Sequence, residues 1–405
     1  MNIVVKPVKC GDCSILYGKS EGLLIDCGSD NSNEYLNSSE FSFSTIQKEI
    51  KNKEITDILI SHFHKDHFNG IMEMPNTYRI KTAYLPYSIV DGKIIYVEGI
   101  VRLLSVASSK SWGFRLSENI LNLFRKLEKI SNTICFVKKD DIIPFDGDEI
   151  RVLWPEIVTA GFKYDDLPVK QNVKDTQFSS CYFPEESTDS LANTERELER
   201  QFTEILGDEN QSLYEAMGNF SKQFEEYIRN LHENNNENRR EDFTPVNKGY
   251  LILNRQREIF RSKLNDMQLE KIKIFSRQQY HSLVTSMNSI SIVCDCNTRF
   301  LFLGDVPVNV IHYIRSSLCN KYRFVKIQHH GTEKYFTANT PYGSYNLISN
   351  GGYEKRKVSE HFIGREKVIC TNAHDDPQRF CAYYASNGVC SSKCIKVNMS
   401  SLVNL

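Results

Sequence analysis

The chain has no long apolar run. No stretch of its 405 residues approaches the roughly 18–20 apolar residues a helix needs to cross a bilayer, so no membrane role is expected. Met1 to Lys6 run straight into a strand pattern, with no apolar leader and small-residue cleavage site. The expected location is the cytoplasm. An excess of one charge sign is missing too: 50 Lys+Arg face 51 Asp+Glu. That balance excludes the strong basic field of a high-affinity, non-specific nucleic-acid binder and leaves only local patches. There is no internal repeat, P-loop or dinucleotide fingerprint. Cysteine is present at 12 residues, but the length, the missing leader and their placement on apolar strands favour reduced, buried thiols. The spacings Cys10/Cys13, Cys294/Cys296 and Cys390/Cys394 could serve a structural zinc, yet no four-ligand set is evident.

Histidine is also scarce, at 10 residues, yet His62, His64 and His67 fall within six positions, with Asp66 among them. They directly follow the strand-like run Ile58 to Ser61. Buried imidazoles and carboxylates need partners or a cation, and neutral imidazole with carboxylate oxygen is the ligand set of Zn²⁺, with Mn²⁺ or Fe²⁺ also accepted. Residues i and i+2 at a strand end point the same way, so His62 and His64 can hold one metal while the chain turns to offer Asp66 and His67 to a second. Three other strands end in suitable groups. Gly22 to Gly28 ends in Asp26 and a glycine, a place from which a carboxylate can orient a metal-bound histidine. Arg299 to Asp305 ends in Gly304-Asp305, where an aspartate can bridge two metals. Phe324 to Thr332 ends in His329-His330 before Gly331, which permits a tight turn.

Strands are expected near 2–7, 13–18, 22–27, 56–61 and 81–86, with helices near 40–52 and 115–130. Phe145 to Pro155 reads as a turn and strand. Residues 157–285 then change character. Leu191, Leu198, Phe202 and Ile205 fall on one helical face, as do Leu213, Met217, Phe220, Phe224, Ile228 and Leu231. Glu233 to Arg240 is polar enough for a loop, and one further helical stretch is expected near 253–272. The reading is a mainly helical insertion (157–285) projecting between two parts of one domain, 1–156 and 286–405, as a lid, a partner-docking surface or an extra helical layer.

On these residues the chain resembles a metallo-β-lactamase-fold hydrolase, and within that superfamily it is most similar to the hydrolase domain of the bacterial competence protein ComEC. The likeness covers most of 1–156 and 286–398. It rests on Val8 to Leu16 with its Gly11-Asp12 turn, Leu24 to Gly28, Ser61 to His67, Asn288 to Ser291, Gly304-Asp305 and Val325 to Thr332. The closing segment adds Val368 to Ala373 and Pro377. The resemblance implies an αββα sandwich. It implies a two-metal zinc centre, Mn²⁺ being an alternative, with His62 and His64 on the first ion, Asp66, His67 and His330 on the second, Asp305 bridging, and Asp26 behind the ligands. The histidine that usually completes the first site is absent. Asn288 and Ser289 occupy its strand, so the His62/His64 site is expected to be the weaker one.

The expected chemistry is hydrolysis by a metal-activated hydroxide. A phosphodiester of DNA or RNA is the leading substrate, with Asp66 and His329 as catalytic groups. His329 would hydrogen-bond a phosphoryl oxygen, protonate the leaving group or merely orient its turn. Asn288, Ser289 and Thr332 are expected substrate contacts. An ester, lactone or lactam is the alternative substrate. A role as effector or partner-binding subunit of a bacterial defence complex, through the insertion, is the rival of a different class.

Overall fold

The computed structural model describes residues 1–6, 8, 11–29, 54–90, 93–157, 190–207, 210–233, 241–349, 358–363, 368–371, 389–391 and 395–398. The helix expected near 40–52, the loop at 234–240, Cys10, Cys394, and Asn372, Ala373 and Pro377 lie outside the described residues.

Apolar residues on both faces of successive strands require cover on both sides, and the chain supplies it with four layers. The strands of the first half are β1 (Asn2–Val5), β2 (Cys13–Tyr17), β3 (Glu21–Cys27), β4 (Glu54–Leu59), β5 (Ile80–Pro86), the small hairpin β6 (Ile89–Val90) and β7 (Lys93–Ile94), β8 (Ser131–Val137), β9 (Ile142–Phe145) and β10 (Asp148–Trp154). The second half supplies β11 (Val293–Cys296), β12 (Phe300–Phe302), β13 (Lys321–Lys326), β14 (Tyr342–Ile348), β15 (Val368–Thr371), β16 (Val389–Ser391) and β17 (Ile395–Asn398). Among the described residues they form one sheet in the order β17-β1-β2-β3-β4-β5-β8 and a second in the order β16-β15-β14-β13-β12-β11-β10-β9. Alternation sorts the side chains. Ile3, Leu23, Ile25 and Leu59 meet Phe300, Phe302 and Phe324 between the sheets, whereas Val4, Leu24 and Ile58 face outward beneath helices. On the other sheet Leu301, Leu303 and Val325 face the outer helices.

The helices are α1 (Lys65–Phe68), α2 (Val97–Val106), α3 (Trp112–Ile130), α4 (Ser190–Leu206), α5 (Gln211–Glu233), α6 (Thr244–Ser262), α7 (Asp266–Ser289), α8 (Val308–Ile314) and α9 (Glu360–Ile363). β3, β4, β5 and β8 run parallel, as do β12, β13 and β14. The chain therefore leaves β3, β4, β12, β13 and β14 at their carboxyl ends on one edge of the sandwich, where open α/β sheets bind ligands.

Three expectations are corrected here. The helices between 190 and 289 do not project: α5, α6 and α7 pack on α2, and α5 also reaches β8. Phe224 and Phe243 lie against Phe124 of α3, with ring centroids 5.4 and 6.0 Å away. The apolar stripe of α5 finds cover on the outer helices of the first sheet, and the two share one core. The single helix expected near 253–272 is two, because Asn265 caps α7 in a capping box with Gln268. Asn288 and Ser289, expected on a strand, end α7 instead. The helical spacing of Ile272, Phe275, Gln279, Leu283 and Met287, all buried, carries the helix past 285, the expected boundary.

Candidate metal centre

His62 follows β4, His64 precedes α1, and Asp66 and His67 lie in its first turn. Gly28 allows this turn to sit close: a Cβ on Gly28 would come within 2.2 Å of the Asp66 carbonyl carbon and 2.3 Å of the His67 nitrogen. Backbone bonds fasten the loops together, Asp12 N to Asp66 O and Gly28 N to Asp12 O. Gly304 and Gly331 adopt φ of 51° and 70°, the left-handed region glycine tolerates. Asp26, His329 and His330 share that region, at 51°, 43° and 57°. Such backbone costs of order 1 kcal/mol or more per residue and gathers at functional sites.

Four imidazoles converge on one carboxylate oxygen. Asp305 Oδ2 lies 3.1 Å from His329 Nδ1, 3.5 Å from Nε2 of both His67 and His330, and 4.0 Å from His62 Nε2. Asp66 Oδ2 is 3.4 Å from His330 Nε2, and His64 Nδ1 is 2.9 Å from His62 Nε2. His62, His67 and His330 are fully buried and Asp305 is nearly so.

The hydrogen-bond partners behind the rings fix which nitrogen each presents. His330 Nδ1 is 2.7 Å from the Ser349 carbonyl, which can only accept, so Nδ1 carries the proton and Nε2 faces inward. His67 Nδ1 lies 2.8 Å from Asp26 Oδ2, while Asp26 also accepts from the backbone and hydroxyl of Ser61, at 2.7 Å each. Nε2 of His64, His67 and His330 and Oδ1 of Asp305 are buried with no hydrogen-bond partner. In the neutral rings of His67 and His330 the inward Nε2 is an acceptor facing acceptor carboxylates, an arrangement that needs a cation between them.

Electrostatics agree. Burial works against a charged His67, yet Asp305 and Asp26 outweigh it and hold its pKa well above the usual value. Burial would raise the Asp305 carboxyl, but His330, His329 and His67 drive it well below its ordinary range. Positive charge is thus favoured at this point, and a proton or a metal ion can supply it. Burial keeps His62 and His64 neutral, with His64 lowered to about 4, the protonation state a ligand requires. The donor set fits divalent cations, in two groups that share Asp305: His62, His64 and Asp305, and Asp12, His67, Asp305 and His330, with Asp66 beside His330 in the second.

Asp12 was not anticipated in the site. It approaches Nδ1 of His67 and of His330 at 3.7 Å each, the side of each ring turned away from Asp305, and its own partner is Lys326 Nζ at 2.8 Å. Asp12 therefore stands behind the ligands with Asp26, around a small cavity also lined by Ser14, Ser61 and Lys326. The remaining expected residues are placed as follows. His329 reaches Asp305 as well and stacks on Tyr335 at 3.7 Å. Asn288 Nδ2 is 3.4 Å from the Tyr335 hydroxyl. Ser289 turns its hydroxyl onto the Thr285 carbonyl, and the Thr332 hydroxyl donates to the His329 carbonyl, so both serve their own turns. The only sequence signs of Asp12 and Lys326 were their places in the Gly11-Asp12 turn and four residues before His330. Cys294 and Cys296 lie buried between the sheets.

Residues 11–97 match the family model of the metallo-beta-lactamase superfamily. No curated protein matches the chain. Among solved structures it is similar to the metallo-beta-lactamase fold protein YhfI from Bacillus subtilis, with 11% identity, 38% of this chain and 53% of that chain covered, and a TM-score of 0.20. The match spans about half of that protein and adds no argument to the topology above. Among the described residues no helix is long and apolar enough to cross a membrane.

Proposed function

We propose, for a chain that carries a metallo-β-lactamase superfamily domain, that it is a metal-dependent phosphodiesterase acting on nucleic acid, with zinc as the working metal and manganese as a substitute. The observation that carries this reading is the sharing of Asp305 between two adjacent groups of imidazoles. His62, His64 and Asp305 would hold one cation, and Asp66, His67, His330 and Asp305 the other. Bound there, paired divalent cations supply Lewis acidity, acidify water near neutral pH and stabilise both oxygens of an in-line displacement at phosphorus. The protein's own part is to hold Nε2 of His67 and His330 inward through Asp26 and the Ser349 carbonyl, and to keep His62 and His64 neutral by burial. His329, at the partly exposed edge of the cluster, is placed to hydrogen-bond a phosphoryl oxygen. The ComEC-type likeness of Asn288 to Ser291 and Val325 to Thr332 supports the nucleic-acid substrate.

The test is cleavage of single-stranded DNA, RNA, a small chromogenic diester, an ester and a β-lactam by protein loaded with Zn²⁺ or Mn²⁺. Metal-dependent cleavage of the diesters is expected. Turnover of only the ester or lactam would replace the phosphodiesterase reading, and absence of bound metal after loading would reject the metal centre itself.

A further inference from the structure

The outer face of α7 leads from solvent into the centre. The helix is about 36 Å long at 1.5 Å per residue, and its inner face, Ile272, Phe275, Gln279, Leu283 and Met287, is buried. Lys273, Arg277 and His281 recur every four residues on the opposite, exposed face. Two turns beyond His281 the same face reaches Asn288, which is only 5% exposed. There the helix surface passes under Tyr335. Asn288 Nδ2 lies 3.4 Å from the Tyr335 hydroxyl, the Tyr335 ring stacks on His329, and His329 Nδ1 is 3.1 Å from Asp305. Asn288 Oδ1 is buried and accepts no hydrogen bond.

From Lys273 to Asn288 the face runs about 22 Å, far more than a small diester could touch. Tyr280, half-buried beside it, meets the His281 ring at 5.6 Å and adds an aromatic surface between the basic groups. Glu270 on this face pairs with Lys273 at 3.2 Å, but both side chains are more than 60% exposed, so the pair is screened and easily exchanged. Lys273, Arg277 and His281 thus form a short basic run on this face that stops two turns before Asn288. His62, His67 and His330 are fully buried, and only His64 and His329 at the edge are partly exposed, so a phosphate must be threaded past that edge to reach the others. A flexible strand can do this and a rigid duplex cannot.

Resting on the phosphodiesterase reading above, we propose that this face of α7 is the entry track for single-stranded nucleic acid. Lys273 and Arg277 take successive phosphates, His281 donates to another, a base lies against Tyr280, and Asn288 guides the strand past Tyr335 to the centre. A groove that tracks the backbone and an aromatic face for bases is how sequence-tolerant single-strand binders work.

The experiment uses metal-loaded protein and a labelled phosphorothioate strand of about 12 nucleotides, within the site sizes such binders cover, read by fluorescence anisotropy against salt. Lys273→Glu with Arg277→Glu should weaken binding at least tenfold and reduce the slope of log K against log[salt] by about 1.4, at about 0.7 per lost phosphate contact. An equal charge reversal on the exposed face of α6, Lys248→Glu with Arg255→Glu, should do neither. Equal weakening by both pairs, weakening by neither, no binding by the unmodified protein, or equally tight and equally sensitive binding of a duplex would each overturn the track. Hydrolysis of the small diester separates the two readings. If it proceeds while the binding results fail, the track falls and the phosphodiesterase stands. If the binding results hold while no diester is cleaved with either metal, the catalytic reading falls and the track stands.

Discussion

Gly28 and Asp305 set the centre in opposite ways, one by having no side chain and the other by the charge it carries. Any Cβ on Gly28 collides with the Asp66–His67 backbone, which cannot yield as a flexible side chain would. Gly28→Ala should therefore push α1 outward and weaken metal binding at least tenfold. Competition with a fluorescent chelator would measure it, and unchanged affinity would show that the approach is not required. Asp305→Asn keeps the volume and removes the shared anion. With metal added, the unmodified protein should gain stability, about 2.7 kcal/mol at a concentration 100 times Kd. The variant should gain little, and its phosphodiester turnover should fall by at least about a hundredfold. Melts in chelator and in Zn²⁺ decide this; equal gains in both proteins would remove Asp305 from the ligands. Replacing Asp66 and His67 together by Ala would be a poorer test. His67 is fully buried, and its loss would leave Asp26 without that partner.

The elements between 190 and 289 form a layer of the molecule, and their energetics should show it. Phe224 is fully buried in the core these helices share with α3: it packs on Phe124 of α3 and on Phe243. Phe224→Ala should cost about 3–5 kcal/mol, and unfolding should remain a single transition by both far-UV and aromatic signals. A separate early transition would mean that these helices fold by themselves. His232 adds a pH dependence. Its Nδ1 meets the Phe136 carbonyl at 3.1 Å and its ring stacks on Tyr87, while burial lowers its pKa below 6.5. A depressed histidine contributes stability fully above its unfolded value and loses it as pH falls through the folded value. Stability should thus decline below about pH 6.5, the ordinary histidine value, and His232→Gln should flatten that slope in denaturant melts from pH 7.5 to 5. An identical slope would assign the decline to other groups.

These elements also show what can be read before folding. The apolar stripes of α5 were legible because helical spacing is local, but the surface that covers them was not, since it belongs to residues about a hundred positions earlier. The break before α7 was written in Asn265 and Gln268, a capping box hidden inside an otherwise continuous helical pattern. Asn288 and Ser289 were misplaced for a different reason: their strand was implied by the family resemblance, whereas in this chain the buried period behind them prolongs the helix.

At the scale of the whole molecule a buried ion pair joins the two sheets beneath the centre. Asp12, in the turn between β1 and β2, and Lys326, at the end of β13, stand 314 residues apart in the chain and 2.8 Å apart in space. They are 2% and 3% exposed. His62, Asp66, His67, Asp305 and His330 were legible because histidine clusters and strand-ending glycines mark them, whereas this pair was not, because nothing near either residue announces the other. Burial opposes charge on both, but each partner's field prevails, lowering the carboxyl and raising the ammonium. Removing one partner from such a pair leaves an uncompensated buried charge and typically costs about 3–5 kcal/mol, while removing both often costs much less. Lys326→Met should therefore destabilise the protein by about that amount even in chelator, where no metal contributes. Asp12→Asn added to it should restore a substantial part. A double-mutant cycle by urea denaturation gives the coupling directly. Additive losses would show that the pair does not join the sheets, and that Lys326 acts only through the metal centre above it.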